Sequence, residues 1–213
     1  MNEESTPALF ETMRSEDGVV ARLHRHLDRL AASALVFGIP FDRGEARFEL
    51  AKALKPGRQR VRMVLHPDGQ VAVDTTPLPE APLRTAWICP DPMLEAGTRR
   101  CQHKTTDREH YAWRWRTAQA RGADEAIVLN PAGEVVEGTR TSVWVESDGW
   151  LWTPPLAAGG LPGVERAFLL DTRPEAGERV LVPRDLELAD AVFLSNALRG
   201  LMRVELVAGD DRV

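Results

Sequence analysis

The 213-residue chain is short of several things that narrow its chemistry. It has two cysteines, Cys89 and Cys101, too far apart for a Cys-x-x-Cys metal or redox site. Its five histidines fall as His24/His26, His66 and His103/His110, without the i,i+4 helical pair that zinc sites use, so no metal is expected. In a reducing compartment both thiols are expected to stay free and without special role. No run approaches the roughly 18 uninterrupted apolar residues of a membrane helix, and the acidic start MNEESTPALF lacks a signal peptide's apolar stretch. A cytoplasmic chain without a membrane partner is expected. Basic excess is missing too: the net charge is −5, which argues against a nucleic-acid partner. Internal repeats and low-complexity tracts are absent. Lysine is scarce, with only Lys52, Lys55 and Lys104, and Tyr111 is the single tyrosine.

What is present is an ordinary globular composition, 43% apolar and 28% charged, in a chain long enough for one large domain or two small ones that share a small-molecule site. Turn residues cut it into short elements. Residues 8–14 and 19–23 are expected as a hairpin about Asp17-Gly18, and the spacing of Leu27, Leu30, Ala31 and Ala34 predicts a helix from His24 that stops at Gly38. Asp42 with Glu45 three residues on predicts a second helix, ending before Pro56-Gly57. Alternation in 60–66 and 70–75 about Pro67-Asp68-Gly69 predicts another hairpin. The proline-rich stretch 77–82 then reads as a linker, giving domains 1–82 and 83–213, the larger one carrying Lys104. Beyond it, strands are expected at 84–88, 126–129, 135–137, 142–146, 151–152, 179–182, 191–195 and 202–207, with helices at 107–121, 164–170 and near 185–188. The class is α+β with mixed and antiparallel sheets flanked by helices. The six tryptophans are expected in cores or an interface rather than as stacking platforms.

Composition and periodicity stop there, and short motifs go further. Leu9-Phe10-Glu11-Thr12-Met13-Arg14, His26-Leu27-Asp28-Arg29-Leu30, His103-Lys104-Thr105-Thr106-Asp107-Arg108, Gly133 to Gly138 (GEVVEG), Leu161-Pro162-Gly163-Val164 with Arg166, and Ser195 to Gly200 (SNALRG) occur in order along the chain. Together they resemble the class IV aminotransferases, the fold type IV enzymes of pyridoxal 5′-phosphate (PLP). Within that family the FETMR, KTTDR and SNALRG segments are most similar to the aminodeoxychorismate lyases.

The resemblance implies a two-domain fold type IV architecture and a PLP-dependent lyase converting 4-amino-4-deoxychorismate to 4-aminobenzoate and pyruvate, a step of folate biosynthesis. The alternatives are a class IV aminotransferase acting on branched-chain or D-amino acids, and a cofactor-free binding protein on the same fold. It also implies a homodimer. Relatives usually carry an extra strand region before the FETMR-like segment, where only eight residues precede Leu9 here, so a shortened first domain is expected. By this resemblance Lys104 is the amine that bonds to the cofactor; its ordinary alternative is an exposed loop lysine. Glu137 is the acid beside the pyridine nitrogen, whose positive charge a carboxylate supports. Arg29 is the phosphate's cation, with amides of Gly163 and Val164 and the Ser195-Asn196 loop adding donors. The substrate carboxylates call for arginine forks, and Arg14, Arg108 and Arg166 are the candidates, with Tyr111 either near the ring or packed on its helix. Ser142 stands where relatives often have asparagine.

Overall fold

The structure, a computed structural model, describes residues 6–208. They divide into two compact units, one running to Glu80 and taking in His103–Asp107, the other made of Ala81–Gln102 and the chain from Arg108 onward.

The first unit is a four-stranded antiparallel sheet under two helices. Strand β1 (Leu9–Glu16) turns at Asp17-Gly18 into the short β2 (Val19–Val20). Both turn residues have positive φ, which glycine and aspartate tolerate. The strand expected at 19–23 ends early because Arg22, at φ 54°, starts helix α1 (Leu23–Phe37) instead. That helix stops at Gly38, φ 65°, whose left-handed conformation lets the last turn's carbonyls be satisfied. Helix α2 (Arg43–Ala53) begins as expected on Asp42, whose Oδ1 accepts from the amides of Gly44 and Glu45. Strands β3 (Arg58–Leu65) and β4 (Val71–Pro77) complete a sheet of order β2-β1-β3-β4. In β3 the residues alternate strictly between buried and half-buried. Val61, Met63 and Leu65 therefore join Leu9, Leu27 and Leu30 in one core, each such side chain contributing about 1.5–3 kcal/mol.

The second unit is built on an eight-stranded mixed sheet. Its strands are β5 (Thr85–Ile88), β6 (Glu125–Leu129), β7 (Val135–Gly138), β8 (Ser142–Ser147), β9 (Trp150–Thr153), β10 (Ala176–Glu178), β11 (Ala191–Asn196) and β12 (Gly200–Leu206). They lie in the order β10-β9-β8-β11-β12-β5-β6-β7. Helices α3 (Arg99–Gln102), α4 (Glu109–Ala120), α5 (Val164–Thr172) and α6 (Pro183–Glu187) accompany them. The strand expected at 179–182 is not formed. Val180 and Val182 are exposed while Leu181 is buried, and the edge pairing beside β9 is made by Ala176–Glu178, in parallel. Only one side chain in that apolar run finds core, so its alternation does not extend into a ladder. The turn α3 and a 3-10 turn at Leu156–Ala158 had no signal in the sequence. Of the tryptophans, Trp144 is fully buried, and Trp150 stacks on Trp152 at 5.3 Å.

Candidate functional site

Residues His103–Asp107, expected in the second domain, are sewn to the first unit by backbone bonds. Phe10 N donates to Lys104 O at 2.9 Å and Thr106 N to Ala8 O at 2.8 Å, with Leu9 and Thr105 bridged in antiparallel fashion. The β2 side of β1 is open at this end, because β2 pairs only with Ser15 and Glu16. The returning segment fills that edge. His103 is held in turn by Ser33, Oγ to Nδ1 2.9 Å. Lys104 is thus half-buried on a fixed backbone, with its Nζ 4.6 Å from the centre of the Phe10 ring. The loop alternative for Lys104 is half right: it lies outside helix and strand, yet its backbone is pinned.

Under the same strand lies a buried charged cluster. Glu11 takes a core position in the alternation Leu9, Glu11, Met13, Ser15, all four buried. It accepts from His26 Nδ1 at 2.7 Å and, from Arg29, Nε at 2.8 Å and Nη2 at 2.6 Å, a two-pronged fork. Burial by itself would raise the carboxyl, but the charge of Arg29 with the His26 and Arg29 hydrogen bonds outweighs it and holds Glu11 at about 2. His26 goes down, first through burial, against the pull of Glu11. An ionised carboxylate can only accept, so Nδ1 carries the imidazole's proton. The buried Nε2 has no hydrogen-bond partner among the described residues.

In the second unit Glu137, near the end of β7, is buried and braced from two sides. Tyr111 OH donates to Oε1, and Leu161 N donates to Oε2 at 3.2 Å. Burial, and next the charge of Glu137, push the Tyr111 phenol well above its usual value, so it stays a donor. Gly160 sits tight against this carboxylate: a Cβ there would meet Glu137 Cδ at 3.4 Å. Tyr111 therefore neither simply packs nor lies open to a substrate; it holds Glu137. Arg108 stacks over the Tyr111 ring at 4.4 Å and donates from Nη2 to Thr139 O at 2.5 Å. That carbonyl belongs to the turn after β7, which is wrapped around the buried Glu125. Glu125 accepts from Ala126 N, Thr139 N and Oγ1, Arg140 N and Thr141 Oγ1.

The remaining expected residues fall in the second unit or on β1. Gly163 is the N-cap of α5 and Val164 its first residue, so their amides open a nine-residue helix. A Cβ on Gly163 would come within 2.8 Å of Ser142 Oγ, which explains a glycine beside that serine. Ser195 Oγ accepts from Trp144 Nε1 at 2.8 Å and keeps its own proton to donate. Asn196 Oδ1 accepts from Leu198 N and Arg199 N, both at 3.1 Å, so this side chain shapes the β11–β12 turn. Arg166 is buried, donating to Pro154 O at 2.8 Å and pairing with Glu178. Arg14 is half-buried on β1. Among the described residues no group of three His, Cys, Asp or Glu could hold a metal, and no helix is long and apolar enough to cross a membrane.

Sequence reasoning passed over Glu11, His26 and Glu125. For the first two a signal existed: a glutamate on the core side of an alternating strand needs buried cations, and His26 and Arg29, at i and i+3, share one helix face.

The sequence pattern described as "Amino-transferase class IV" matches residues 8–207. A provisionally named aminodeoxychorismate lyase of Schizosaccharomyces pombe is 32% identical over 93% of this chain and 89% of its own. A provisionally named branched-chain-amino-acid aminotransferase of Methanocaldococcus jannaschii is 27% identical over 94% and 78%. The match to the Escherichia coli branched-chain-amino-acid aminotransferase, at 34% identity, spans 43% of this chain and only 31% of that protein. Among solved structures, a provisionally named amino-acid aminotransferase of Mesorhizobium loti superposes with a TM-score of 0.87 at 35% identity, covering 94% of this chain and 99% of that one. Class IV aminotransferases are PLP enzymes, and a structural neighbour from Mycobacterium tuberculosis, 21% identical with a TM-score of 0.82 and covering 95% of this chain and 82% of its own, was solved in a PLP-bound form. A match across residues 8–207, with relatives over nearly the whole chain, makes this protein a member of the class IV aminotransferase family.

Proposed function

We propose that the chain is a PLP-dependent lyase that converts 4-amino-4-deoxychorismate to 4-aminobenzoate and pyruvate. The observation that carries the reading is Lys104: one of three lysines, half-buried, its backbone pinned to β1 and its amine against Phe10, in the unit that fixes the half-buried Arg29 guanidinium on Glu11. The donor chemistry fits the cofactor. Lys104 offers the amine, Arg29 a fixed cation for a phosphate, and Glu137 a buried carboxylate for a protonated pyridine nitrogen. Gly163, Val164 and the Ser195 hydroxyl supply further donors for an anion.

When bound, PLP supplies an electron sink for the bond-breaking at the carbon that carries the amino group. Lys104 Nζ would be the atom that holds the cofactor and the base that takes the proton from the carbon bearing the substrate's amino group. Tyr111 OH and Leu161 N keep the Glu137 carboxylate in one orientation, in which it would accept from a pyridinium N–H. Glu11 keeps the Arg29 fork in one orientation. Arg14 and Arg108 remain candidates for the substrate's carboxylates, whereas Arg166 and Asn196 brace the fold through Glu178 and the β11–β12 turn. Resemblance to the Schizosaccharomyces pombe protein and to the FETMR, KTTDR and SNALRG segments supports the lyase. The second reading is a class IV aminotransferase; the names of the Methanocaldococcus and Escherichia relatives favour branched-chain amino acids as its substrates.

Purified protein is expected to be yellow, with a visible absorption band lost in Lys104→Ala, and to form 4-aminobenzoate with no amino-acid donor. Turnover that depends on a donor and a keto acid would replace the lyase with the aminotransferase. A colourless protein that takes up no added PLP would remove both.

A further inference from the structure

Soft donors from three separate stretches of the second unit meet at Cys101. Its Sγ lies 3.9 Å from Met93 Sδ and 3.7 Å from His110 Nε2. All three side chains are buried. Met93 and Cys101 share a cluster with Tyr111, Val128 and Val136, so the imidazole nitrogen is turned toward sulfur in largely apolar surroundings. The backbone holds each donor in place. Met93 N donates to Leu129 O at 2.7 Å, Cys101 N donates to Thr98 O at 3.0 Å, and His110 O accepts from Arg114 Nη1 at 2.5 Å. Leu94, next to Met93, is exposed, so the cluster lies one residue from the surface.

The spacing suits a single ion. At the bond lengths found around zinc, about 2.3 Å to sulfur and about 2.0 Å to imidazole nitrogen, a three-coordinate ion with angles near 120° would separate its two sulfurs by about 4.0 Å and sulfur from nitrogen by about 3.7 Å. The two separations measured from Cys101 agree with these values. Donor type then selects the ion. A thioether and a thiolate are soft ligands that favour Cu(I), whereas magnesium, calcium and manganese take oxygen. Zinc calls for four donors in a structural site, and among the described residues no third histidine, cysteine or acid joins this pair. On binding, the thiol's proton leaves to solvent, because the thiolate is the ligand.

We propose that Met93, Cys101 and His110 form a binding site for a soft monovalent metal ion, of which Cu(I) is the biological example. The site does not depend on Lys104 or on the lyase reading, and it is measured without turnover. The full, reduced chain would be titrated at neutral pH, without oxygen, against the coloured bicinchoninate complex of Cu(I). It is expected to withdraw about one equivalent of the ion, and to bind zinc far more weakly. Cys89, whose Sγ lies 3.7 Å from Asp91 O, supplies the control: Cys89→Ser should keep the uptake and Cys101→Ser should lose it. Met93→Leu conserves volume, so it should melt like the wild type without metal while holding copper about tenfold or more weakly. X-ray absorption of the loaded protein should show two sulfurs and one nitrogen around the ion. The site falls if the chain draws no copper from the chelate, if uptake survives Cys101→Ser, or if Met93→Leu and His110→Gln both leave the affinity unchanged. Should Cys101→Ser fail to fold, the Met93→Leu affinity and the absorption spectrum decide, and a shell with a single sulfur would overturn the assignment.

Discussion

Glu11 and Glu125 are both completely shielded from water, one in each unit, and they shift in opposite directions. Glu11 meets a guanidinium fork and an imidazole, and its carboxyl is held at about 2. Glu125 meets mainly neutral amides and hydroxyls, and burial pushes its carboxyl up in spite of them. The contrast shows what each acid does. A full opposite charge compensates desolvation where dipoles offset it only in part. Glu11 is fitted to fix a cation in place, and Glu125 to gather the backbone of the turn that follows Glu137.

The strongest way to break the contrast is Glu11→Ala, which takes from the partly buried Arg29 and the buried His26 the carboxylate they share and should cost about 3 kcal/mol in urea unfolding followed by circular dichroism. Acid titration sharpens it. Because the folded value of Glu11 lies below the usual 4.5, its contribution is complete above about pH 4.5 and is lost as pH falls toward about 2, roughly 3 kcal/mol in all. Glu11→Gln should flatten that acid limb of the melting temperature. Glu125 has the other sign: its raised value makes stability decline as pH climbs above 4.5 toward the folded value, so the Glu11→Gln protein should show a weak slope of reversed direction. Glu125→Ala, which strands the amides and hydroxyls of the turn, should cost about 2–3 kcal/mol. Tryptophan fluorescence reads this well, since all six tryptophans lie in the second unit. Tyr111→Phe removes one donor from Glu137 and should cost about 1–2 kcal/mol in the same assay. Least of all, Asp28→Asn breaks an exposed pair with Arg43 and should change stability by less than about 0.5 kcal/mol.

Much of the first unit could be read in advance, because its signals are local. Asp42 before Glu45, Gly38 after an apolar helical stripe, and strict alternation in β3 all act within a few residues. The second unit was read less well where a strand needed a partner: Val180 and Val182 look like strand residues, and only the neighbouring β9 decides that Ala176–Glu178 pairs instead. Lys104 was legible as a motif, but its position was not. Its segment departs from the linear order of domains to close the edge of β1, a choice made by hydrogen bonds reaching across almost a hundred residues.

From the sequence alone came the family, the turns, the two periodicities and the short list of groups that could do chemistry. The partners of those groups were decided only in three dimensions. Arg166 goes to Glu178, Asn196 to its own turn, Tyr111 to Glu137, and Glu11 to His26 and Arg29. The reason is one of range: dihedral preference and hydrophobic spacing act between near neighbours, whereas a buried polar atom takes whichever partner the folded chain brings within about 3 Å.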